Sequence, residues 1–138
     1  MSDELLIVGM DGSERSHDAL RFALEEARLR NATVEVITTW SEDQGVDALK
    51  KAQRIQADAK EAVLADHEGD PPVNFRVVEG RPEHVLVDAS ARATLLVVGA
   101  HGVHSIRHAA LGSISEYTAR LAYCPVVVIP APAPDQTL

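Results

Sequence analysis

Two runs, LLIVGM (Leu5–Met10) and TLLVVGA (Thr94–Ala100), are apolar at almost every position. A strand with one wet face alternates apolar and polar residues. A strand without alternation is covered on both faces, the condition of a parallel sheet flanked by helices. TVEVITTW (Thr33–Trp40) is rich in β-branched residues and reads as another strand, as do VNFRVVE (Val73–Glu79) and PVVVIP (Pro125–Pro130). The segments between them change period. Leu20, Ala23, Leu24 and Ala27 share one helical face, and Ala52, Ile55, Ala59, Ala62 and Val63 stripe a long helix over about 43–67. GDPP at 69–72 breaks that helix. Pro82 suits a helix start, with Leu86, Ala89 and Ala93 facing inward, and Ile114, Tyr117, Thr118 and Leu121 form a last face. Five strands alternating with four helices predict right-handed βαβ units: an α/β chain whose parallel sheet is the middle of three layers. One domain is expected over 1–130, followed by a Pro-rich flexible tail, 131–138, that cannot extend a sheet.

Charge narrows the partners. A formal net charge of −8 is the wrong sign for a nucleic-acid or anionic-membrane surface. No apolar run reaches membrane-spanning length, and the first residues do not resemble a signal peptide. Cys124 is the only cysteine, so no internal disulfide can form and a cytoplasmic location is expected. Beside PVVVI, that cysteine is more often a small hydrophobe than a nucleophile.

Open parallel sheets bind ligands beyond the carboxyl ends of their strands, where the strand order reverses. The loops to search therefore follow strands one and four: DGSERS and GAHGVHSIRHAALGSIS (Gly99–Ser115). The second has no Asp or Glu in an acidic chain. Its glycines permit close backbone approach, and the helix opening near Ser113 offers N–H groups without intrahelical acceptors at the positive end of its dipole. Ser113 and Ser115 add hydroxyls and Arg107 a permanent cation, which together suit an anion. His101 either bonds a phosphate or lines the rim. Other uses of the same residues are ordinary: Ser113 and Glu116 have the spacing of a capping box, and single glycines are common in turns. His101, His104 and His108 as metal ligands is the weaker reading, because the loop has no carboxylate or cysteine to complete a set. GxxxxGK[ST] is absent, with all three lysines (Lys50, Lys51, Lys60) in the long second helix, and GxGxxG is absent too.

The frame Gly99-x-x-Gly102, nine residues, then Gly112-Ser113 resembles the ATP-binding signature of universal stress proteins. LLIVGMDGSERS resembles that family's first strand and loop, and SISEYTARLAYCPVVVIP its last helix and strand, so the similarity spans about 4–130. The resemblance implies a Rossmann-like three-layer open sandwich with strand order 3-2-1-4-5, and a homodimer. It implies ATP as ligand, or ADP or AMP, with Mg²⁺ left open. Asp11 would meet the ribose hydroxyls, with Gly9 and Met10 beside the base. Thr38, Thr39 and Trp40 would supply backbone contacts and apolar cover. Gly99, Gly102, Gly112, Ser113, Ile114 and Ser115 would surround the phosphates. The DGS run also suits Asp11 to an Asx-turn, a role compatible with the ribose contact.

PVVVI (Pro125–Ile129) reads as an edge strand, and pairing across a two-fold axis would cover it. The function expected is a cytoplasmic stress or regulatory dimer acting by nucleotide binding. A slow ATPase or nucleotidyl-transfer enzyme is the first alternative, although Asp11 and Glu14 are the only carboxylates in either loop. A nucleotide-free dimeric interaction module is the second.

Overall fold

The computed structural model describes residues 3–65, 67, 69–103 and 111–133. Its elements, in order, are β1 (Leu5–Gly9), α1 (Glu14–Arg30), β2 (Thr33–Trp40), a 3-10 turn (Glu42–Gln44), α2 (Ala48–Leu64), β3 (Val73–Glu79), α3 (Pro82–Ser90), β4 (Leu95–Gly99), α4 (Ser113–Leu121) and β5 (Val126–Ile129). All pairings are parallel and the sheet order is β3-β2-β1-β4-β5. The chain therefore reverses direction across the sheet between β1 and β4, as the expected order requires.

The two faces of the sheet carry separate cores. Leu6, Val8, Val34, Val36 and Val97 pack with Leu20, Ala23 and Ala27 of α1 and Ala59 of α2. Ile7, Ile37, Leu96 and Val98 pack on the other face with Leu86 and Ala89 of α3 and with Ile114 of α4. Successive residues of β1 and β4 thus enter opposite cores, which is why those runs show no alternation. Asn31 ends α1 in the left-handed region (φ 59°), and its N–H returns to the last carbonyls of the helix. Cys124 packs against the second core, and burial pushes its thiol pKa up, as suits a small hydrophobe.

Four local readings change. The second helix starts at Ala48 rather than near residue 43, because Gly45 sits at φ 113° and only a 3-10 turn precedes it. Ala93 reaches the second core from the turn after α3, which ends at Ser90. Leu121 is 50% exposed, so the inward face of α4 ends at Thr118. The capping box at Ser113 does not form: Gly112 is the N-cap, and Ser113 is the first helical residue.

Near the amino ends of the strands, Glu35 on β2 is buried between Arg76 of β3 and Arg92, with hydrogen bonds from both guanidiniums. Burial alone would raise the Glu35 pKa, but the hydrogen bonds from Arg92 and Arg76 outweigh it and hold the carboxyl below its ordinary value. A carboxyl that titrates lower when folded adds stability above its unfolded pKa and loses it as pH falls through the folded one. Glu35→Gln should accordingly lower Tm most at neutral pH. The gap from wild type should close as pH falls below roughly 4. A gap that is the same at pH 7 and in acid, followed by thermal melts, would show that the charge contributes nothing.

Candidate functional site

The site forms where β1 and β4 end. Met10 extends β1 by one bond, its N–H donating to the Ile37 carbonyl at 2.9 Å. The chain then turns at Gly12, whose φ of 87° belongs to the left-handed region that glycine adopts without strain. The turn carries Asp11 back over its own loop. One carboxylate oxygen accepts the Ser13 N–H at 2.9 Å, the Asx-turn the DGS run suggested, and the other accepts the Val103 N–H at 3.0 Å. Ser13 caps α1, accepting the Ser16 N–H at 3.2 Å. Asp11 is thus the strut between the loops after β1 and β4.

The glycines at the end of β4 and just after it make room for protein atoms. A Cβ on Gly99 would stand 2.5 Å from the Arg15 Cβ and 3.0 Å from its carbonyl carbon, so this glycine lets α1 press against the end of β4. A Cβ on Gly102 would run into the Asp11 carboxylate. Gly99 is therefore a packing residue, and Gly102 gives Asp11 its place.

The start of α4 is fixed by a single carbonyl. Ala100 O accepts the Gly112 N–H at 2.5 Å and the Ser115 hydroxyl at 2.8 Å. Ser115 is buried, and among the described residues its hydroxyl lies within hydrogen-bond distance of two backbone carbonyls, at Ala100 and Gly112, so it anchors the helix instead of offering a hydroxyl donor to a ligand. The first intrahelical bond runs from the Glu116 N–H to Gly112 O at 3.0 Å. The N–H groups of Ser113, Ile114 and Ser115 precede it and have no intrahelical acceptor. Gly112 has no side chain to cap them, and Ser113 is exposed.

These parts enclose a cleft of about 480 Å³. Gly9, Met10, Asp11, Thr38 and Thr39 line it from β1 and β2. Gly99, His101, Gly102, Gly112, Ser113, Ile114 and Ser115 line it from β4 onward. Twelve of the fourteen residues that the sequence assigns to a nucleotide site thus converge. Of the other two, Trp40 and Arg107, the second lies outside the described residues, as do His104 and His108. Among the described residues no three His, Cys, Asp or Glu side chains gather as a metal set. Two buried polar atoms at the cleft, Thr38 Oγ1 and His101 Nδ1, have no hydrogen-bond partner among the described residues. Trp40 does not line the cleft. Its carbonyl accepts the Gly80 N–H at 2.8 Å, and it serves the exit from β3.

One wall was not foreseen. Ala48, Lys51, Ala52 and Ile55 of α2 line the cleft, with Gln44 before them and Pro82 and Leu86 of α3 opposite. The spacing held the signal, since Lys51 lies one turn before Ile55 on the same stripe. Read only for a phosphate-loop lysine, the lysines of that helix hid it. Among the described lining residues, Asp11 is the only carboxylate and Lys51 the only Lys or Arg.

The Universal stress protein family matches residues 5–130. The chain belongs to that family. A universal stress protein of Mycobacterium tuberculosis is 35% identical over 131 residues, 90% of this chain and 47% of the relative. The chain spans about half the length of the curated relatives it matches. Among solved structures, a universal stress protein in complex with cAMP is 28% identical, with a TM-score of 0.72 over 91% of this chain and 96% of its own. The universal stress protein of Archaeoglobus fulgidus in complex with dAMP has the same fold, with a TM-score of 0.71, 24% identity and coverage of 91% and 96%.

Proposed function

We propose that this family member binds an adenine nucleotide, ATP foremost, in the cleft above β1 and β4, and acts as a cytoplasmic regulatory protein by binding rather than turnover. The observation that carries the reading is the meeting of Asp11 with the uncapped start of α4 in one cleft. A carboxylate bonds the paired hydroxyls of a ribose, and free helix N–H groups suit phosphate oxygens. A volume of about 480 Å³ lies in the range of small-molecule sites. The relative in complex with cAMP supports the same ligand class. Binding is favoured over hydrolysis because Asp11 is the only carboxylate among the described lining residues, and in this reading it is taken up by the ribose hydroxyls. Denaturing the purified protein and chromatographing the supernatant should release adenine nucleotide. Incubation with ATP for hours should release little phosphate, and steady multiple turnover would make it an enzyme.

The working form in this reading is a homodimer paired along Pro125–Ile129, with β5 as the joining edge. β3, the other edge, carries exposed Asn74, Arg76 and Glu79, which discourage edge pairing. β5 carries only Val and Ile, and the chain leading into it exposes Leu121, at 50%, and Tyr123, at 72%. Light scattering at micromolar concentration should give a dimer. The double variant Leu121→Glu, Tyr123→Glu should give a folded monomer whose Tm no longer depends on protein concentration. A monomeric wild type would contradict the pairing.

A further inference from the structure

Thr38 is 2% exposed, it lines the cleft from the carboxyl end of β2, and its hydroxyl has no hydrogen-bond partner among the described residues. Leaving a buried hydroxyl unpaired is unfavourable, and valine would fill the same volume in a strand without that penalty. Thr38 follows Val34 and Val36 on the α1–α2 face of the sheet, so it points toward α2. Ala48, Lys51 and Ala52 of α2 line the same cleft, and the two alanines are small side chains.

We infer that Thr38 is a base-binding residue, and that its hydroxyl donates to a ring nitrogen of the nucleotide base. The inference rests on the adenine-nucleotide reading and adds which side chain engages the ring. The proton decides the partner: an unsatisfied donor is less tolerable inside a protein than an under-used lone pair. An aromatic ring nitrogen is a pure acceptor in the plane of a flat ring, whereas an exocyclic amine would leave the hydroxyl proton unpaired.

The experiment compares AMP with its 1-deaza, 3-deaza and 7-deaza analogues, each replacing one ring nitrogen by C–H, on wild type and on Thr38→Val by calorimetry. Wild type should bind one of the three about tenfold more weakly than AMP. In Thr38→Val that penalty should vanish, AMP falling to the affinity of the analogue while the melting temperature holds or rises. AMP binding with the same penalty in both proteins, or with none in wild type, overturns the inference and leaves the function standing. A wild type that binds no adenine nucleotide overturns both.

Discussion

Gly102→Val should bind adenine nucleotide at least ~100-fold more weakly than wild type, a loss of roughly 2.7 kcal/mol, with Tm little changed. The new Cβ takes the place of the Asp11 carboxylate, and the valine methyls leave it no nearby alternative. Asp11 then loses the Val103 N–H, and the two loops it ties together separate at the point where a ribose would sit. The cost falls on the site because the displaced group is an exposed side chain at the rim, outside both cores. Gly102→Ala should weaken binding as well, since the conflict begins at the Cβ. Calorimetry and a thermal melt on the same sample check both halves. Wild-type affinity in the valine variant would mean that Asp11 has no part in binding.

Gly99→Val should do the opposite, damaging the fold first. Its Cβ would meet the Arg15 Cβ at 2.5 Å and the Arg15 carbonyl carbon and oxygen at 3.0 and 3.2 Å. Backbone atoms in the first turn of α1 cannot swing aside as a carboxylate does, so the helix must shift from β4. Overpacking of this kind costs about 1–3 kcal/mol and more where the backbone must move. In a chain of this size that should lower Tm by roughly 5–15 °C. Gly99→Ala should already show much of the loss. An unchanged melting temperature would show that α1 is not seated on Gly99. The pair of variants separates two glycines that look alike in sequence: one holds a helix, the other the Asp11 carboxylate.

That distinction marks how far the sequence could be read. The strands were legible because burial on both faces removes alternation from LLIVG and LLVVG, and their order followed from the family resemblance. The start of α2 is placed too early by the sequence because polar Asp43, Gln44 and Asp47 read as continuous with the helix, whereas Gly45, with a φ of 113°, breaks it. In the site, the glycine frame and DGS turn were visible because each is a local pattern. What they serve was not. Gly99 answers to Arg15 and Gly102 to Asp11, residues distant in sequence that meet only when β1 and β4 lie side by side. Ser113 and Ser115 illustrate the same limit. Two serines at a helix start look interchangeable, but a one-residue shift of the N-cap to Gly112 turns Ser115 into an anchor on the Ala100 carbonyl and leaves Ser113 exposed.

The central claim is that the cleft is a nucleotide site. Titration calorimetry of ATP and AMP into purified wild-type protein tests it most directly. The account predicts saturable heat with one nucleotide per chain, lost in Gly102→Val. No heat from wild type at millimolar ATP or AMP, in protein shown to be folded and free of carried-over nucleotide, would contradict it.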